Sequence, residues 1–135
     1  ENGRGERVAI REISLTAMTC QRDFPAHLHA MSREADALKK IAWASPVVIR
    51  LIDCWLQNDF SRACIVTEWL PQTFHGVLQR HRREHCISVE KHDARRWLAH
   101  MLTGVAAIHA AGFVHRDIQP CNIWLTEDLQ RCKIA

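Results

Sequence analysis

Apolar positions along the chain change their spacing several times, and each change marks an element. Val8, Ile10, Ile13 and Leu15 make residues 8–15 apolar-rich and fit a strand. Residues 16–26 are mixed, hold Pro25 and read as a loop. From 29 to 43, Met31, Ala35, Leu38, Ile41 and Ala42 recur three and four residues apart, which is one face of an amphipathic helix. Ser45-Pro46 ends it, because the proline ring cannot continue a helix. Residues 47–56 (VVIRLIDCWL) and 62–69 (RACIVTEW) flank a turn at Gln57-Asn58-Asp59 and predict an antiparallel hairpin. After Pro71, residues 73–83 predict a short helix with Phe74, Val77 and Leu78 on one side.

The longest periodic segment is 89–111, where Trp97, Leu98, Met101, Leu102, Val105 and Ile108 form an apolar stripe. Ser88 suits its N-cap, Glu90 the positive end of its dipole, and Gly112 the position just past its end. A loop over 113–122 leads to strands at 123–126 and 131–135, joined by a turn at Glu127-Asp128. Strands dominate the first part and helices come later, with a change of composition near Leu70-Pro71, which predicts an α+β fold.

The 135 residues suit one small domain or a piece of a larger one. Eighteen Lys and Arg against fifteen Asp and Glu leave a net charge of +3, too mild to require nucleic acid or a lipid surface as partner. No apolar run reaches the roughly 18 to 20 residues of a membrane span, and no secretory leader opens the chain. The six cysteines are scattered without a C-x-x-C pair, so they read as reduced thiols in a cytoplasmic or nuclear protein. His81 and His85 are spaced as a metal pair, as are His27 and His29, but a solvated helix end is the better reading of the first and the second is discounted alike. Arg80, Arg82, Arg83, Arg95 and Arg96 read as solvated surface, with a docking patch for an acidic partner or phosphate as the alternative. The five Trp residues read as core or packing residues rather than a base-stacking platform.

The chemistry lies in His115-Arg116-Asp117-Ile118-Gln119-Pro120-Cys121-Asn122, directly after the long helix. This run matches the catalytic-loop pattern H-R-D-L-x-x-x-N, with Ile118 for Leu, and the chain resembles the eukaryotic-type protein kinases. Phosphoryl transfer needs a carboxylate to accept the proton of the attacking hydroxyl, and an oxygen ligand nearby to help hold Mg²⁺ against the phosphates. The resemblance gives the first role to Asp117 and the second to Asn122. Val8-Ala9-Ile10-Arg11 resembles the V-A-I-K strand, and Glu34 the acidic ion-pair partner on the helix that the family calls αC. Thr67 takes the gatekeeper position, and Glu68 and Leu70 the adenine-binding hinge. Leu38, Leu51 and His115 take places in the packed spine, and Arg116 the place that grips a phosphorylated activation-loop residue. Pro120 resembles the Ser/Thr branch, and cyclin-dependent kinases are the subgroup suggested.

Departures from the pattern matter as much. Arg11 replaces the strand Lys, and its planar fork is not equivalent to an ammonium at a phosphate clamp. Gln119 replaces the catalytic-loop Lys and brings no charge to the γ-phosphate, a loss on the order of 10²–10³ in rate. Before Val8 stand only Gly3 and Gly5 where a Gly-rich loop belongs, and no D-F-G occurs among these residues. The resemblance therefore implies a partial kinase-like α+β fold, with residues 1–70 as part of the small lobe (β-sheet plus αC) and 71–135 as the first part of the helical large lobe. It implies ATP, Mg²⁺ and a protein substrate, with a cyclin-like or other regulatory protein against the helix around 31–43, in an intracellular setting. The isolated chain is expected to be inactive, with Trp97, Leu98 and Met101 exposed for want of later helices. The alternative is a pseudokinase, a binding or scaffolding module without catalysis.

Overall fold

The computed structural model describes residues 5–15, 24–42, 45–57, 61–83 and 89–135, without the side chains of 24–28, 30 and 42. Asn58 and Asp59 of the hairpin turn, the Ser88 cap, Trp43, His85, Cys20, Cys86 and the His27 side chain lie outside the described residues. Contacts group the chain into two units, Glu1–Lys40 with Arg50–Trp69, and Ile41–Ile49 with Leu70–Ala135. Among the described residues no helix is long and apolar enough to cross a membrane.

The first unit holds β1 (Val8–Ser14), α1 (Phe24–Ala42), β2 (Leu51–Leu56) and β3 (Arg62–Glu68). The sheet order is β1-β3-β2, antiparallel throughout. β3 is the central strand, and Ala63, Cys64, Ile65 and Val66 are all buried there. Its register sets Arg11 and Cys54 on either side of Ile65, and Ala9 and Leu51 on either side of Thr67. The pairing slips between Leu51 and Asp53, a bulge that leaves Ile52 out of the ladder. Helix α1 starts at Phe24, five residues before the start expected from periodicity. Pro25 falls in its first turn, where a missing N–H costs nothing. Met31, Ser32 and Ala35 of α1 face Cys54, Trp55, Leu56, Cys64 and Ile65 across an apolar cavity of about 240 Å³.

The second unit holds β4 (Gln72–Thr73), α2 (Phe74–Arg83), α3 (Lys91–Ala110), β5 (Ile123–Leu125) and β6 (Cys132–Ile134), with a 3₁₀ turn at Pro120–Asn122. Its sheet runs β4-β5-β6, antiparallel. The expected strand over 47–56 is divided: only residues 51–56 join β2. Val48 instead bridges Ile134 in parallel, with Ile49 N–H donating to Ile134 C=O at 2.8 Å and Ile134 N–H to Val47 C=O at 3.0 Å. An apolar β-branched run is satisfied by burial in either place, so its pattern does not choose a sheet.

The core of this unit is Val77, Trp97, Ile108, Ile123, Leu125, Cys132 and Ile134, all buried. Phe74 meets Trp97 edge to face at 5.5 Å, and Trp97 Nε1 donates to Leu129 C=O at 2.8 Å. Trp97 is thus 2% exposed, contrary to the expectation, whereas Leu98 stays 52% and Leu102 62% exposed. Leu78 is also exposed, so the buried side of α2 is narrower than its apolar pattern suggested. Arg96 is not solvated surface: it is half-buried and donates to Asp93 Oδ1 at 2.5 Å and to Leu129 C=O. Glu90 is the N-cap of α3 and makes no side-chain cap bond. At the other end, Gly112 has φ +83° and donates to His109 C=O, while Phe113 donates to Ile108 C=O. This paired closure satisfies the last carbonyls and turns the chain back.

Two expectations follow from this core. An added Cβ at Gly104 would stand 2.8 Å from Ile134 Cδ1 and 3.2 Å from the Val47 carbonyl. Gly104→Val should therefore lower unfolding free energy by about 1–3 kcal/mol in urea denaturation. Cys132 is buried, donates its S–H to Trp97 C=O and its N–H to His100 Nδ1, and burial pushes its thiol up to about 11. Burial, then the Arg96 and Arg131 charges, lower the pKa of His100 below its ordinary value. The unfolded chain then binds the extra proton more readily. The His100 contribution is present above about pH 6.5 and is lost as pH falls through the lowered folded value. Thermal denaturation of His100→Asn should show a smaller stability loss between pH 7 and pH 5 than the parent.

Candidate active site

Two groups of candidate residues form, one within each unit. In the second unit, the closure at Gly112 delivers the chain into an exposed loop that ends in the 3₁₀ turn and β5. Arg116 lies in this loop with φ +70°, a left-handed conformation that costs a non-glycine residue roughly 1–2 kcal/mol. The flanking backbone is fixed on both sides. His115 Nε2–H donates to Ala135 C=O at 2.9 Å, and its Nδ1 accepts the Asp117 N–H at 3.2 Å. Asn122 N–H donates to Gln119 C=O, and Ala135 N–H donates to Asn122 C=O, each at 2.9 Å.

Asp117 is exposed, and its carboxylate is held by two side-chain amides. Gln119 Nε2 donates to Oδ1 at 2.8 Å and to Oδ2 at 2.9 Å. Asn122 Nδ2 donates to Oδ2 at 2.6 Å and to the Asp117 carbonyl at 3.0 Å. These contacts use the amide nitrogen of Asn122, and among the described residues nothing donates to its Oδ1. Asp117, Gln119, Asn122 and His115 are therefore brought together, while the exposed Arg116 makes no hydrogen bond or ion pair with them. No cluster of three His, Cys, Asp or Glu suited to a metal occurs among the described residues. Asn122 Oδ1, turned away from the carboxylate by its Nδ2 contact, is a single oxygen donor of the kind a hard cation such as Mg²⁺ takes, alongside ligands from elsewhere.

In the first unit, Arg11 on β1 pairs through Nη2 with Glu34 Oε1 on α1. Both side chains are about half exposed, at 55% and 44%. Thr67 sits half-buried near the end of β3, between Ala9 and Leu51. Glu68 is turned back on its own strand pair: its N–H donates to Arg50 C=O at 3.0 Å, and its Oε1 accepts the Arg50 N–H at 2.8 Å. The Arg7 guanidinium lies 3.9 Å over the Trp69 ring, a cation–π contact at the end of the β1–β3 ladder. Leu38 and Leu51 are half-buried in this unit; Leu70 is buried and opens the second stretch of the other.

Sequence reasoning missed Ala135, whose backbone anchors both ends of the loop, and no side-chain pattern could have signalled it. It also missed the Arg7–Trp69 contact, which the strand register alone would have suggested, since Val8 opposite Glu68 brings 7 and 69 to the same end.

The chain belongs to the protein kinase domain family, whose model matches residues 1–135. It is 38% identical over 96 residues to cyclin-dependent kinase F-1 of Oryza sativa subsp. japonica, covering 71% of this chain and 20% of that protein. It is 30% identical over 121 residues to a probable serine/threonine-protein kinase KIN28 homolog of Encephalitozoon cuniculi, covering 90% and 35%. Mitogen-activated protein kinase HOG1 of Blumeria graminis matches at 30% over 134 residues, covering 98% and 34%. The chain thus spans between 20% and 35% of the length of these relatives.

Because the Arg11–Glu34 pair is half in water, Arg11→Gln should change unfolding free energy by less than about 1 kcal/mol. Urea denaturation checks this; a loss several times larger would give the pair a structural weight that its exposure does not support.

Proposed function

We propose that this chain is part of a protein kinase that transfers the γ-phosphate of ATP to Ser or Thr of a protein substrate. The observation that carries the reading is the Asp117 carboxylate held by the Asn122 amide nitrogen, with Asn122 Oδ1 left without a donor among the described residues. Pro120 and the serine/threonine kinases among the named relatives favour Ser/Thr as acceptor. Residues 1–70 are assigned to the small lobe and 71–135 to the start of the large lobe.

Within that reading Asp117 accepts the proton of the substrate hydroxyl, worth about 10²–10⁴ in rate for a well-placed base. Asn122 Oδ1 helps hold Mg²⁺, which when bound draws charge from the phosphates. Arg11, oriented by Glu34, contributes positive charge toward the phosphates in place of the family's Lys. The backbone of Glu68 and Leu70 binds adenine, with Thr67 as gatekeeper, and His115, Leu38 and Leu51 support the site from within. Arg116 is set to grip a phosphorylated residue outside these 135 positions. A cyclin-like or other regulatory protein is assigned to α1 on the strength of the cyclin-dependent relatives, and an intracellular location goes with the reading.

A pseudokinase is the second reading, favoured by Arg11 in place of Lys and by Gln119 lying against Asp117. Radiolabel transfer by the full-length protein decides between them. Transfer that falls on the order of 10²–10⁴-fold in Asp117→Asn supports the kinase. Nucleotide binding without any Asp117-dependent transfer supports the pseudokinase. Residues 1–135 expressed alone should show no transfer, since they contain neither a G-x-G-x-x-G loop nor D-F-G.

A further inference from the structure

Gln119 occupies the place where the kinase pattern has a lysine directed to phosphate, yet here its side chain is bound to Asp117. One nitrogen at 2.8 Å from Oδ1 and 2.9 Å from Oδ2 sits across the mouth of the carboxylate, over the lone pairs that converge between the two oxygens. Asn122 Nδ2 takes Oδ2 again at 2.6 Å. A carboxylate has about four acceptor sites, and an attacking hydroxyl needs one of them within about 2.6–3.2 Å. The amides of residues 119 and 122 already occupy most of that capacity.

The Gln119 backbone is fixed, since its carbonyl accepts the Asn122 N–H, but among the described residues its exposed side chain is held only by Asp117. Charge makes the difference from lysine. An arriving phosphate attracts an ammonium strongly and draws it off a neighbouring carboxylate; a neutral amide feels far less of that pull. The contact at position 119 therefore persists when nucleotide arrives.

We infer that Gln119 is a positioning residue that caps the base: its carboxamide holds Asp117 in a resting orientation and must swing aside before a substrate hydroxyl is accepted. This rests on the kinase reading of Asp117. It differs from the simpler view, in which Gln119 is only a lost phosphate contact, because it predicts a gain on removing the side chain.

The test uses the full-length protein with Gln119→Ala, Gln119→Lys and Asp117→Asn, assayed for transfer and, after ¹⁵N labelling, for the Gln119 carboxamide resonances. The cap predicts that Gln119→Ala raises kcat on the order of tenfold, the worth of one hydrogen bond to a charged group, with KM for ATP nearly unchanged. Gln119→Lys should also raise kcat. The Gln119 carboxamide should shift when Asp117 is changed to Asn. Transfer that rises in Gln119→Lys but falls or stays level in Gln119→Ala overturns the cap and leaves the kinase reading standing. A carboxamide indifferent to Asp117→Asn does the same. Absence of Asp117-dependent transfer in every variant overturns the kinase reading, and the gating role with it.

Discussion

The placement of Asp117 depends on the buried position of Ile134, a residue that carries no chemistry of its own. Ile134 is 1% exposed and lies between Val47–Ile49 on one side and Ile123 on the other. Its fixed position fixes the next residue, Ala135, whose N–H reaches Asn122 and whose carbonyl receives His115. Those two residues bracket the loop, and each then holds part of Asp117: His115 its backbone N–H, Asn122 its carboxylate. An exposed loop has little apolar area with which to hold a shape. Here the order is imported from a core through backbone hydrogen bonds, and that allows Arg116 to remain in its left-handed conformation.

The ion pair of the first unit acts differently. Arg11 and Glu34 are half in water, so their attraction adds little to stability. What it supplies is direction: a guanidinium held by a carboxylate presents its remaining N–H groups along fixed lines, where an ammonium would offer three rotatable ones. The stability of that unit comes instead from β3, whose four consecutive buried residues are covered by pairing on both edges.

What could be read from the sequence was set by how local the cause was. The long helix and its glycine stop, the His115–Asn122 loop and the two strands after it are specified by neighbouring residues, and their positions held to within two residues at each end. The Arg11–Glu34 pairing came from family resemblance, and the two side chains do meet. Failures came where a distant partner decided. Val47–Ile49 were apolar enough for the hairpin but were taken by Ile134. The two-residue strand β4 exists only because β5 lies beside it, and no pattern of two residues announces itself. Gly104 carries no signal in the apolar pattern, yet Ile134 and the Val47 carbonyl stand where its Cβ would be. Leu78 matched the helix period yet stayed exposed, because periodicity identifies a face without saying how much of it is covered.

The bridge between Val48 and Ile134 joins positions far apart along these 135 residues. During synthesis, the segment 45–49 leaves the ribosome long before the strand that pairs with it. Its buried apolar side chains must wait in water, or in a chaperone, until Ile134 emerges. Closing so long a loop is slow, and the exposed Val47-Val48-Ile49 run is meanwhile an adhesive stretch for other nascent chains.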